Sequence, residues 1–367
     1  MKRATRSARR WGGLAFQGGL FFLGWRLYRA IRTPDLRGKV TLITGGSRGL
    51  GLILARQFAR EGCRVALCAR DEDELARAQA DVQSLGGEVM VHRCDVGDRE
   101  AVEKMVEAVV ARFGGVDVVV NNAGIIQVGP FESMTPGDFE RAMQVNFWGP
   151  LHVIWAALPS LRERRGRIVN ITSIGGEVAV PHLLPYDCAK AAFRSLSEGL
   201  QAELDRHGIK VTTVVPGLMR TGSPLNASFK GDASKEYAWF SLGDSHLLTS
   251  MRAERAGRRI VASARRGEGK VVLTWQARLL RLAHGVAPNL VLRAMSLANG
   301  LLPGERGLRF DSRRGRELAP PPGQGSSERL YEAARQFNQM QNGTSEKAMT
   351  NGRPIADGRA GEEGGRP

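Results

Sequence analysis

The chain is short of acid, of aromatic side chains and of cysteine. Its 37 Asp and Glu face 53 Lys and Arg, a formal charge of +16 over 367 residues. Only 6% of the residues are aromatic, and only four are tyrosine. The four cysteines, Cys63, Cys68, Cys94 and Cys188, form no CxxC pair and no Cys/His ligand spacing. That argues against a disulfide scaffold or a zinc module and for reduced thiols in a domain facing the cytoplasm. No metal site is expected. There are no internal repeats, no small-residue cleavage site behind the N-terminal apolar run, and no nucleic-acid recognition module despite the charge.

The positive excess sits in two places. Residues 1–37 carry nine Lys/Arg and one Asp, and residues 245–316 carry fifteen Lys/Arg and four acids. The remainder is close to neutral. Both basic flanks are also apolar, which suits an anionic membrane surface better than nucleic acid. The run from Trp11 to Trp25 would make a helix of about 21 Å, short of a bilayer core of about 30 Å. Extension to Ile31 reaches the length but takes in Arg26 and Arg29, which must snorkel. Trp11, Trp25 and Tyr28 stand where interfacial anchors would. A membrane anchor is expected in residues 1–37, as a short span or an interfacial helix; a helix packed on the protein itself is the alternative. The rest divides into a catalytic region, 38–275, an apolar basic helical extension, 276–304, and a mostly disordered tail, 305–367. A short helix is expected within that tail at Glu328–Met340.

From Lys39 onward short apolar runs alternate with helical periods. "VTLIT", "RVALCA", "EVMVH", "DVVV", "GRIVNIT" and "IKVTTVV" read as strands. Gly49–Gly62, Asp71–Leu85, Asp98–Phe113, Pro136–Arg164 and Pro185–His207 read as helices. Continuous apolar strands separated by helices predict a parallel sheet covered on both faces, a doubly wound α/β fold of Rossmann type. Leu218–Gly243 shows no clear period and is expected to be a long mobile segment. A helix near Leu247–Arg265 and a last strand, "KVVLT", follow, then helices near Trp275–Ala283 and Pro288–Leu302.

The strand "VTLIT" runs into "GGSRGLG", where Gly45, Gly49 and Gly51 let backbone turn tightly toward a pyrophosphate at a helix N-terminus. The spacing is TGxxxGxG and not GxGxxG. At the end of the second strand the usual ribose-binding acid is missing. Ala69 and Arg70 stand there, with Arg48 in the glycine loop. Two guanidiniums suit a 2′-phosphate, so NADP(H) is the expected cofactor, although Asp71 is near enough to reach a ribose. Asp95 and "NNAG", Asn121–Gly124, end the third and fourth strands, where open sheets bind ligands. In "PYDCAKAAF", Tyr186 and Lys190 lie four apart and share one helix face.

Alone, a YxxxK is weak evidence. In order with TGxxxGxG, NNAG, Asn146 in "QVNFWG", Ser173 in "NITSIGG" and "PGLMRT", it makes residues 38–275 closely resemble the short-chain dehydrogenase/reductase family. The resemblance implies that Tyr186 is the general acid/base and that Lys190 lowers its pKa and binds the nicotinamide ribose. It implies that Ser173 donates to the substrate oxygen and that Asn146 holds a water linking Lys190 to solvent. It also implies a cofactor site of Gly45, Ser47, Arg48, Gly49, Leu50, Gly51, Arg70, Asp95, Asn122, Ala123, Gly124, Pro216, Gly217 and Thr221, with Tyr186 and Lys190. Val178, Val180, Leu183, Leu184, Trp239 and Phe240 are expected to wall a pocket for a lipophilic carbonyl or alcohol. His182 is expected to be a solvated loop residue or a ligand contact. The arrangement resembles the family's membrane-associated hydroxysteroid, retinal and long-chain 3-keto reductases. A 3-oxoacyl reductase of fatty-acid type and a non-catalytic, membrane-bound NADP-binding protein are the competing readings. Homo-oligomerisation is possible.

Overall fold

The computed structural model describes residues 34–245, 250–304, 310–320 and 327–340. Nearly all of the expected anchor segment, residues 1–33, lies outside these. Among the described residues no helix is long and apolar enough to cross a membrane.

Seven parallel strands form the central sheet. They are β1 (Val40–Thr44), β2 (Arg64–Ala69), β3 (Val89–Arg93), β4 (Val118–Asn121), β5 (Arg167–Ile171), β6 (Lys210–Val215) and β7 (Lys270–Val272), in the order β7-β6-β5-β4-β1-β2-β3. The chain winds outward from β1 in both directions, so the strand order reverses there. Ligands of open sheets bind at the carboxyl end of such a switch point.

Apart from the half-buried edge strand β3, the strands are buried on both faces because their alternate residues feed two cores. Ile43, Leu67, Val120 and Val214 pack under α1 (Gly49–Arg60), α2 (Glu72–Gln83) and, later in the chain, α8 (Ala253–Arg266). Leu42, Val119, Ile168 and Val211 pack under α3 (Arg99–Phe113) and α5 (Gly149–Arg164). Local signals set the ends. Asp71 and Asp98 cap α2 and α3 by accepting from Glu74 N and Ala101 N, which satisfies otherwise orphan amides. Thr135 and Asp138 form a capping box at α4 (Pro136–Met143). The stretch 136–164, expected to be mostly helix, is α4 and α5 joined by a π-helical turn, Gln144–Trp148. α6 (Leu184–Leu204) carries the YxxxK face.

Two expectations are corrected. The segment 218–243 is not loose: it holds a 3-10 turn (Ser223–Asn226), a short strand (Ser228–Phe229) and most of α7 (Ala233–Ser245). Within the tail expected to be mostly disordered, residues 310–320 are ordered, and the short helix expected at Glu328–Met340 is present. Arg313–Arg314 pairs antiparallel with Ser228–Phe229, and a helix spans Ser327–Gln336. Leu330, Tyr331 and Ala334 then complete a third core with Val128, Leu225 and Phe229. Apolar spacing alone gave too little signal in 218–243 and 310–320, because their partners are far away in sequence.

Candidate active site

β1 ends at Thr44 and the chain turns at Gly45, with φ +61°, into α1, whose first residue Gly49 has φ +55°. Both values favour glycine. A Cβ on Gly51 would lie 2.0 Å from Gly45 O, so the loop closes only with glycine there. Asn122 braces it, donating from Nδ2 to Thr44 O and Gly45 O at 3.1 Å each. Asn122 N and Ala123 N donate to Thr44 Oγ1. The N-cap of α1, Arg48, makes no side-chain cap. A close glycine turn leading to a helix N-terminus without a side-chain cap fits a bound pyrophosphate.

Beside this loop, Glu74 organises two expected cofactor residues, a role the sequence did not reveal. Ser47 Oγ donates to Glu74 Oε2 at 2.9 Å and Arg48 to Glu74 Oε1 at 2.7 Å. Asp71, the residue near enough to reach a ribose, spends one carboxylate oxygen capping α2. Arg70 lies 3.8 Å from Asp95, which also faces Arg141 at 3.6 Å. Arg314 and Arg316, from the segment expected to be disordered, line the same cleft as Arg48 and Arg70. Burial, then repulsion from Arg316, Arg70 and Arg48, lowers the Arg314 pKa. The end of the cleft beyond β2 is therefore rich in arginine.

At the other end, the four residues expected to be catalytic come together. Asn146 is fully buried in the π-helical turn; it accepts from Ile125 N and donates to Ile125 O, both at 3.1 Å. A Cβ on Gly124 would meet Asn146 Oδ1 at 2.7 Å and Lys190 Nζ at 3.6 Å, so Gly124 is the gap through which these two side chains approach. Such single π turns are common at functional sites. Lys190 Nζ donates to Ile171 O at 3.0 Å and lies 5.8 Å from the Tyr186 ring centroid. Burial pushes Lys190 down to about 8. Tyr186 is pushed up to about 12, by burial first and with a hydrogen bond from Ser173 working against it. Next in sequence, Asp187 is pushed up to about 8 by burial, although it accepts from Val180 N at 2.6 Å.

The opposite wall follows β6. Pro216 O accepts from Ile174 N at 2.9 Å, tying it to the Ser173 turn. Gly217 leaves no room for a Cβ, which would sit 2.3 Å from Thr274 Oγ1. Thr221 is buried. All the expected cofactor residues except Gly51, which packs beneath, line one cleft of about 1400 Å³. That exceeds the ~300–1,000 Å³ usual for small-ligand pockets and leaves room for two molecules. Val180, Leu183, Trp239 and Phe240 line its far end, whereas Val178 and Leu184 do not. His182 is not solvated. It is buried with φ +66°, and its Nδ1 lies 2.8 Å from Glu236 Oε1. Glu236, itself fully buried, also accepts from Trp239 Nε1 at 2.6 Å. Among the described residues no cluster of His, Cys, Asp or Glu could hold a metal.

A doubly wound sheet carrying a glycine-rich dinucleotide loop and an Asn-Ser-Tyr-Lys group, with Asn146 and Lys190 buried and Ser173 and Tyr186 half-buried, defines a nicotinamide-dependent oxidoreductase. The sequence profile of the short chain dehydrogenase family matches residues 39–229, and the chain belongs to that family. It is 38% identical over 247 residues to the oxidoreductase SadH of Mycobacterium tuberculosis, covering 66% of this chain and 89% of that one. It is 32% identical over 277 residues to the fatty acyl-CoA reductase of Acinetobacter baylyi, covering 75% and 88%. An alcohol dehydrogenase from the archaeon Thermococcus sibiricus, solved with 5-hydroxy-NADP, superposes with a TM-score of 0.55 at 28% identity, over 64% of this chain and 95% of that one.

Proposed function

We propose that the protein is an NADP(H)-dependent reductase that interconverts a carbonyl and an alcohol on a lipophilic substrate, working at a membrane surface. One observation carries this reading: a single cleft lined by Arg48, Arg70, Arg314 and Arg316, by Ser173, Tyr186 and Lys190, and by the apolar Trp239 and Phe240. Arginines clustered beyond their available acids favour a phosphate on the adenine ribose. The structural relative solved with 5-hydroxy-NADP and the relative named for fatty acyl-CoA support the two halves of the reading.

A bound dinucleotide supplies the hydride; the chain supplies the rest. Tyr186, held protonated well above neutral pH, is in the right form to donate its proton to a forming alkoxide. The tyrosinate left behind is stabilised by the Lys190 ammonium. Ser173 faces the same oxygen as an oxyanion donor. Asn146 holds Ile125 and, through Gly124, the approach to Lys190.

The membrane part rests on α9 (Trp275–Val286) and α10 (Pro288–Asn299). α9 lines the cleft with Ala277 and Leu280 while leaving Trp275, Leu279 and Leu282 exposed. An apolar face beside the mouth would let substrate enter from lipid. The test is a screen of the purified enzyme against ketosteroids, retinal, 3-ketosphinganine, 3-oxoacyl thioesters and small water-soluble ketones, each with NADPH and with NADH. Turnover with NADPH on at least one of the first four supports the reading. Equal use of NADH, or reduction confined to small water-soluble ketones, overturns the corresponding half.

A further inference from the structure

Behind the third core the chain returns to the glycine loop. α11 (Gly315–Leu318) precedes α12 (Ser327–Gln336), and residues 337–340 follow. Phe337 is buried against Ile53 of α1 and Ala253, and its carbonyl accepts from Gly49 N at 2.9 Å. Asn338 adopts φ +56°, a left-handed conformation that asparagine tolerates better than most residues. Its side chain is fully used: Nδ2 donates to Ser47 O at 2.8 Å and Glu74 O at 2.9 Å, and Oδ1 accepts from Arg77 Nε at 2.7 Å. Gln339 reaches the other wall. Its Nε2 donates to Thr221 O, and its Oε1 accepts from Asn226 Nδ2 at 2.8 Å.

We propose that residues 337–340 form a strap across the dinucleotide groove that retains bound cofactor, with Gln339 joining the two walls. This rests on the reading that the groove holds a nicotinamide dinucleotide, as the family does. The pyrophosphate belongs at the N-terminus of α1, between the glycine loop and the Thr221 loop. Asn338 grips the first of these walls and Gln339 the second, so the segment lies across the path by which a dinucleotide would leave. It lies close to the loop, with Gln339 Nε2 2.9 Å from where a Cβ on Gly49 would stand, so the strap and a bound dinucleotide would be immediate neighbours. With the strap in place the cleft is continuous from Ser47 and Arg70 to Tyr186 and Trp239, and Gln339 and Met340 are part of its lining. Release of cofactor then requires the strap to let go of at least one wall. Phe337 keeps its other end anchored between two helices, so the opening is a local hinge motion of a few residues.

The experiment is a dissociation chase by stopped flow, following the fluorescence of bound NADPH and, separately, NADH. It uses the full chain, Gln339→Ala, and a chain ended after Phe337, which keeps the apolar anchor. Thermal melts of each protein without cofactor establish that the variants are folded. The expected result is a dissociation rate at least tenfold faster in both variants, a smaller change in association rate, and a correspondingly weaker Kd. Unchanged dissociation in both folded variants overturns the strap. So does tighter binding by the shortened chain, which would mean that the segment occupies the groove. If the full chain binds neither NADPH nor NADH, the dinucleotide reading itself fails, a result separable from failure of the strap alone.

Discussion

Tyr186 and Asp187 are neighbours in sequence with opposite duties at one pH. Burial holds Tyr186 protonated, and protonated is the form a proton donor needs. Tyr186→Phe keeps the ring and removes the proton. Reductive turnover should fall by about 100- to 10,000-fold, as for loss of a general acid, while dinucleotide affinity measured by fluorescence titration holds. Retained turnover would remove Tyr186 from proton transfer. Asp187 makes a prediction about stability. Its folded pKa, about 8, lies above the ordinary aspartate value of about 4. The folded state therefore binds a proton that the unfolded chain has already released between these values. By linkage, this group costs stability progressively as pH rises from about 4 through about 8. The partly unpartnered carboxylate, with Oδ1 against Gly175, is what burial penalises. Asp187→Asn removes the titration. Thermal melts should show the wild type losing ground to the variant across that window, and parallel pH profiles would exclude Asp187 as the source.

At the scale of elements, the substrate end hangs on α7. Glu236 enters the core from this helix and takes hydrogen bonds from Trp239 and the strained His182 loop. It thereby fixes the relation of α7 to the loop holding Val180 and Leu183. Glu236→Ala leaves those donors unsatisfied, at about 1–3 kcal/mol per group, and frees the wall. We expect the melting temperature to fall and KM for a lipophilic ketone to rise several-fold, with a smaller effect on kcat because the Ser173, Tyr186 and Lys190 geometry comes from β5 and α6. A kcat loss with KM unchanged would place Glu236 in the chemistry instead. This element also marks what was legible beforehand. The parallel sheet, the glycine loop and the YxxxK face could be read because each is a local pattern within one strand, turn or helix. Glu74 could not, because it meets Ser47 and Arg48 across 27 and 26 residues. The same holds for His182 with Glu236, and more so for Asn338, which meets Ser47 across 291 residues. Contacts between a short polar segment and a distant loop leave no period in the chain. The helix expected at Glu328–Met340 could be read from its own period, but its docking against α1 and the Thr221 loop could not.

For the whole molecule, the charge distribution and the exposed surface coincide. α9 and α10 leave Leu282, Val286, Leu290 and Leu297 exposed, with Leu297 at 77%. Arg281 and Arg293 are exposed on the same two helices. An apolar face of this extent on a water-soluble surface marks an interaction site. If that face meets lipid, its arginines would add attraction to an anionic bilayer, on the order of 1 kcal/mol per charge near the surface. The sheet begins only at Val40, so a chain lacking residues 1–32 keeps every strand and should fold. That shortened enzyme should still co-sediment with vesicles containing phosphatidylserine, weakly at low salt and less at high salt, because the charge contribution is screened over about 10 Å at 0.1 M. Replacing Leu290, Leu292 and Leu297 together with serine should reduce the residual binding further and leave the melting temperature nearly unchanged, since all three are already solvent-exposed. If the shortened enzyme ignores anionic vesicles at low salt, this face does not meet lipid. Light scattering on the same samples would then show whether it meets a second copy of the chain, which the leucine substitutions should dissociate.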